Sequence, residues 1–191
     1  GMDILMILHQ LKIPTVFPDS VIEEANRVSE TISPEEIEGR VDLRQELTVT
    51  IDGADAKDLD DAVALVKRED GTFVLTVSIA DVSYYVTENS EMDKEAFERG
   101  TSVYLTDRVV PMLPQRLSNG ICSLHPYEER LTLTARMEID RSGTIYQHEI
   151  FPSVIQSNER LTYDEVNVLF NTKEASEKIT PEIAEMLWNM K

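Results

Sequence analysis

The chain has one cysteine, Cys122, in 191 residues, so no internal disulfide can form and a reducing, cytoplasmic compartment is expected. Long apolar runs are missing as well. The longest near the start, Ile4 to Leu8, falls far short of the ~18 residues that a membrane span requires. It makes no signal peptide either, because Asp3 precedes it and no small-residue cleavage site follows. No membrane partner is therefore expected. Basic residues are scarce: 18 Lys and Arg stand against 36 Asp and Glu, a net charge of −18. By itself that disfavours a phosphate-binding surface, which draws on Lys and Arg. No internal repeat or low-complexity stretch is present, and 41% hydrophobic with 28% charged residues is the composition of an ordinary globular chain. Gly1 ahead of Met2 reads as a cloning remnant, which would place Met2 inside a longer protein.

What is there divides into a helical start and a region of strands and helices. Ile4, Ile7, Leu8 and Leu11 keep the spacing of an amphipathic helix that Pro14 closes. Ser20 with Glu23 and Ser33 with Glu36 read as capping boxes for two further helices, so residues 1–45 are expected to be mostly helical. From Leu47 the period becomes two, and a strand runs into Asp52. Strands Ala62 to Lys67 and Phe73 to Ile79 flank the hairpin signal Asp70-Gly71. Ser90 and Asp93 open a helix that Gly100 ends, Ser102 to Leu105 reads as a short strand, and Gln115 to Cys122 as one or two helical turns. Leu131 to Ile139 meets Ile145 onwards across Arg141-Ser142-Gly143-Thr144, Thr162 with Glu165 boxes another helix, and a last helix starts at Pro181. Strands and helices without βαβ alternation predict an α+β fold with a mostly antiparallel sheet and packed helices.

The acids are concentrated early: residues 1–100 carry 23 acidic and 9 basic side chains. Five aspartates, Asp52, Asp55, Asp58, Asp60 and Asp61, fall within ten residues at the join of two predicted strands, with Lys57 as the one base among them. Carboxylates this close raise one another's cost of ionisation, and a hard cation removes that cost. Mg²⁺ takes oxygen ligands at ~2.0–2.1 Å, usually a few carboxylates with waters and phosphate oxygens. Two such ions ~3.5–4 Å apart make the clamp of in-line phosphoryl displacement. An EF-hand is excluded, because a loop starting at Asp52 has Lys57 where Gly is needed and Val63 where Glu is needed. Two readings stay open on the residues alone: a metal-dependent phosphoryl-transfer site, or a non-catalytic acidic module that binds a cation or a basic partner. For either, the loop has to curl, and Gly53 is the residue expected to allow it.

At these residues the chain resembles the ribonuclease II and ribonuclease R family of hydrolytic 3′-to-5′ exoribonucleases, and the bacterial ribonuclease R branch in particular. The family signature is Thr-Ile-Asp, an Asp six residues on and an Asp-Asp pair eight and nine residues on, places filled here by Asp52, Asp58, Asp60 and Asp61. Further blocks follow in family order: Ile79-Ala80-Asp81-Val82-Ser83, Arg99-Gly100-Thr101-Ser102-Val103-Tyr104, Pro111-Met112-Leu113-Pro114, Leu117 through Leu124, and Arg160-Leu161-Thr162-Tyr163. The resemblance implies hydrolysis of single-stranded RNA from its 3′ end to nucleoside 5′-monophosphates, with Mg²⁺ as cofactor. It further implies that Asp52 and Asp61 ligate the tightly held ion, that Asp58 supports the cluster, and that Asp60 is the acid whose loss most damages turnover. Tyr104 matches the aromatic that stacks on the 3′-terminal nucleotide, and Arg160 joins Arg99, Arg108 and Arg116 as candidate phosphate contacts.

The family's catalytic domain runs past residue 191 and supplies later an arginine and a second aromatic that have no place here. Residues 46–191 are thus expected to be the N-terminal part of that domain, truncated at its C-terminus, with the remainder of the polypeptide and its flanking RNA-binding domains as partners. His9, His125 and His148 form no ligand spacing, and Cys122 reads as a packed thiol with no base near it. Asp81 is expected either to cap a turn or to orient the metal loop.

Overall fold

Nine strands and six α-helices make up most of the regular structure among the described residues, helices α2 (Pro34–Ile37) and α3 (Val82–Tyr85) being single turns. The structure, a computed structural model, describes residue 6, residues 8–106 and residues 108–191. Ile4 and Ile7 of the first expected helix lie outside them, whereas Leu8 is buried. The chain divides into two compact units that interleave in sequence. One joins the residues up to Glu30 with Val82–Ile121; the other joins Thr31–Asp81 with Cys122–Lys191.

The larger unit is a seven-stranded sheet. Its strands are β1 (Val41–Asp42), β2 (Val49–Asp52), β3 (Asp61–Lys67), β4 (Phe73–Ala80), β7 (Glu129–Ile139), β8 (Ile145–Gln156) and β9 (Glu159–Thr162), in the order β1-β8-β7-β4-β3-β2-β9. The four central pairings, from β8 to β2, are antiparallel, and the outermost pairs, β1 with β8 and β2 with β9, are parallel. The hairpin turns fall where the sequence expects them. Gly71 at φ +83 and Gly143 at φ +86 occupy the left-handed region that a residue with a Cβ enters only at a cost. Asp70 adds to the first turn by accepting the Thr72 N–H at 2.9 Å.

Val49 and Leu161 pack with Val166 and Leu169 of helix α5 (Tyr163–Thr172) and with Ile183, Met186 and Leu187 of helix α6 (Pro181–Met190) to form the core on one face. Leu161 is fully buried and lies opposite Ile51 in the parallel pair. Leu161→Ala is expected to cost about 3 kcal/mol through lost burial and the cavity left behind. Urea unfolding should show a lower midpoint at unchanged slope. Elsewhere on the sheet lies a buried ladder of hydroxyls. Ser78 meets Thr134 at 2.8 Å, and Ser153 meets Thr134 at 2.6 Å and Thr132 at 2.7 Å, so these interior polar groups satisfy one another.

The smaller unit packs helix α1 (Asp19–Arg27) on helix α4 (Glu91–Arg99), with Val21, Ala25 and Met92 buried. Ser90 caps α4 by accepting the Asp93 N–H at 3.1 Å, and Gly100 ends it at φ +71, as read from the sequence. The Ser20 capping box does not form. The helix starts at Asp19, with Pro18 as the residue before it, so Ser20 already sits inside the first turn and its hydroxyl donates to Glu91 at 3.3 Å instead. Strands β5 (Val103–Tyr104) and β6 (Val109–Val110) form a separate antiparallel pair, and the expected turns near Gln115 become a π-type turn, Leu117–Ile121, broken at Gly120.

Candidate active site

Asp52 is the last residue of β2 and Asp61 the first of β3, and the eight residues between them form a loop held from three sides. Its first half is a turn, with the Ala56 N–H donating to Gly53 O at 3.1 Å. There the Arg160 guanidinium closes on the backbone, Nη2 donating to the carbonyls of Gly53 (3.3 Å), Ala54 (2.9 Å) and Ala56 (2.7 Å). Its second half is pinned by Ser123. That hydroxyl donates to Lys57 O at 2.9 Å and accepts the Leu59 N–H at 3.0 Å, while the Leu124 N–H donates to Leu59 O at 2.8 Å. The Ala80 N–H ties off Asp60 O at 3.0 Å. Leu59 is wholly buried as a peg between Asp58 and Asp60.

These anchors, rather than a glycine, produce the curl. Gly53 stays out of the left-handed region and a Cβ there would meet nothing within 4 Å. Three of the sequence blocks, those containing Ala80, Ser123 and Arg160, thus converge on one loop although they are far apart in the chain. Ser123 was not foreseen. A serine between the apolar Cys122 and Leu124 was its one signal, since a hydroxyl buried among such neighbours needs backbone partners.

The carboxylates feel one another. Asp52 is held above the ordinary carboxylate range by burial first, then by the negative charges of Asp61 and Asp58, with Arg160 acting in the opposite sense. Asp60 is raised likewise by burial and then by Asp58, Asp61 and Asp52. One oxygen of Asp52, Oδ2, is buried with no hydrogen-bond partner. Asp55 is exposed. Among the described residues, no three His, Cys, Asp or Glu side chains stand together as a ready ligand cluster. The donor set still suits a hard divalent cation: it is all carboxylate, its repulsion is only partly offset by Arg160, and one oxygen is dry and unpartnered. Mg²⁺ in particular takes only a few protein carboxylates and fills its remaining places with water and phosphate oxygens.

A family model described as the RNB domain matches residues 40–191. The chain belongs to the RNB domain family. It is 56% identical over 176 residues to ribonuclease R 1 of Lactococcus lactis, covering 92% of this chain and 22% of that protein. It is 48% identical over 177 residues to ribonuclease R of Thermotoga maritima, covering 93% and 25%. Among solved structures, RNase R of Mycoplasma genitalium in complex with double-stranded RNA superposes with a TM-score of 0.92 at 36% identity, over 98% of this chain and 33% of that one. The same protein with ribose-methylated single-stranded RNA gives 0.91. The chain therefore spans about a quarter of the length of the curated relatives named here.

Within this RNB domain the other expected site residues divide. Tyr104 lies in the smaller unit, 64% exposed and paired in register with Val109. Arg99 is consumed by structure. It donates to the carbonyls of Pro14, Val16 and Pro111, pairs with Glu95 at 2.8 Å and stacks over Phe17 at 3.7 Å. Arg116 pairs with Glu30 and donates to Val28 O. The Asp81 carboxylate accepts from Arg40 at 2.7 Å, and the same guanidinium donates to Thr132 O and Ser153 O. Cys122 is buried, and burial pushes its thiol up to about 12. The folded chain is accordingly expected to resist iodoacetamide at pH 8 and to label only as it unfolds; rapid labelling without unfolding would contradict that burial.

Proposed function

We propose that this chain is the N-terminal part of the catalytic domain of a hydrolytic 3′-to-5′ exoribonuclease, which takes single-stranded RNA and releases nucleoside 5′-monophosphates. The observation that carries this reading is the braced loop, in which Asp52, Asp58, Asp60 and Asp61 share one electrostatic field and Asp52 keeps a buried oxygen without a partner. The names of the relatives support it, as does the Mycoplasma genitalium relative caught with RNA. In this proposal the remainder of the same polypeptide completes the site and supplies the basic surface that offsets a net charge of −18. The setting is the cytoplasm; among the described residues no helix is long and apolar enough to cross a membrane.

Asp52 and Asp61, with Asp58 and Asp60, are the residues that would hold Mg²⁺. Two ions bound there would supply charge neutralisation at the scissile phosphate and a more acidic attacking water. The chain's own part is positional. The anchors fix the backbone that carries the four carboxylates, and the partial burial of Asp52 strengthens its attraction for a cation by keeping water's screening low. Tyr104 offers an exposed ring for base stacking, worth ~1–3 kcal/mol and indifferent to sequence. For Arg160, expected as a phosphate contact, Nη2 is already committed to loop carbonyls, which favours a role in holding the loop.

The competing reading, a non-catalytic acidic module for a cation or a basic partner, has the same loop but no use for an RNA end. Asp60→Asn in the longer polypeptide separates the two, assayed for hydrolysis of single-stranded RNA and independently for RNA binding.

A further inference from the structure

Arg160 is a cation whose charge acts on Asp52, yet it forms no ion pair with any of the four aspartates. Among the described residues it has no carboxylate within ion-pair distance; Nη2 is spent on three neutral carbonyls of residues 53–56, and Nε is buried with no partner. Left to electrostatics alone, a flexible guanidinium so placed would pair with a carboxylate in a two-pronged contact. Such a pair would occupy the oxygens that a cation needs. Held by the backbone instead, Arg160 leaves those oxygens available while still placing positive charge close by.

Its position follows from register. Arg160 lies opposite Thr50 in the parallel β2–β9 pair, two residues before Asp52 on the neighbouring strand. The strand pairing that fixes Asp52 therefore also fixes the arginine that shapes the loop after it. Resting on the proposed metal-dependent function, we propose that Arg160 is a positioning residue for the acidic loop, setting the turn Gly53–Ala56 so that the carboxylates on either side can share a divalent cation.

The experiment uses this 191-residue chain with Mn²⁺ as probe, followed by electron paramagnetic resonance, and amide hydrogen exchange without metal. Two variants are compared, Arg160→Ala and Arg160→Lys; the lysine keeps the charge, loses the forked reach of the guanidinium and guards against a folding failure of the alanine form. In Arg160→Ala, exchange at Ala56 should quicken at least about tenfold while Leu59, held by Ser123, stays within about twofold. Mn²⁺ affinity should fall about tenfold or more, with Arg160→Lys moving both readouts the same way by less. A role confined to general stability would instead speed exchange across the whole sheet. Ala56 exchange unchanged in both variants, or altered exchange with Mn²⁺ affinity intact, would overturn the inference. If the parent chain and its Asp52→Asn variant bind Mn²⁺ equally, the metal reading itself fails, and the brace as a metal-positioning device falls with it.

Discussion

Asp60→Asn in the longer polypeptide is expected to lower hydrolysis of single-stranded RNA by roughly a thousandfold while leaving RNA binding within about twofold, the scale seen when one preorganised electrostatic group is removed from a site of charge development. Asparagine fits the same space, and Asp60 contributes its backbone carbonyl to Ala80 through an atom that the change does not touch. Folding should therefore be spared. What is lost is one negative charge from a set of four whose mutual repulsion is the reason to bind cations at all. Affinity for RNA should persist because it comes mainly from phosphate contacts away from the reacting bond. Equal hydrolysis by variant and parent, followed by the release of nucleoside monophosphates, would instead favour the acidic-module reading.

The second large effect concerns the 191 residues alone: turnover of single-stranded RNA should be at least about a thousandfold below that of the longer polypeptide, with no binding in fluorescence anisotropy at micromolar concentrations. The charge balance is one reason. The way the arginines are used is another. Arg40, Arg44, Arg68, Arg99, Arg116, Arg130 and Arg136 are each engaged by a carboxylate within the fold. A phosphate would have to displace one of those partners. Under the proposed function, the arginine clamp at the scissile phosphate comes from the remainder of the polypeptide, and charge stabilisation of phosphoryl transfer is incomplete until it is supplied. Vigorous Mg²⁺-dependent hydrolysis by this chain would show that its site needs nothing from elsewhere.

Local signals were the legible ones. Thr162 with Glu165, Ser90 with Asp93, and the hairpin glycines Gly71 and Gly143 all act within a few residues, and each adopts the geometry that its sequence spacing requires. The acidic cluster could be picked out because its five aspartates fall within ten residues, and the family signature singled out four of them. The parallel pairing of β2 with β9 was not legible, since nothing between Val49 and Thr162 in sequence says which strand lies beside which. Hence Arg160 read as a candidate phosphate contact and Gly53 as the hinge, whereas the curl is made by contacts from distant segments. Ser20 failed for the opposite reason: its capping motif was local, but the helix starts at Asp19, two residues before a Ser20 cap would start it.

The contacts between Arg160 and the loop close spans of 104 to 107 residues. During synthesis, the aspartates emerge long before the strand that will shape them, and a loop closed over such a distance forms late because its entropy cost comes before its contacts. The nascent chain therefore carries an acidic segment without its Arg160 brace until β9 docks. Under the proposed function, a chain stalled on the ribosome before residue 160 would hold all four aspartates and still lack the contact that shapes the turn between them.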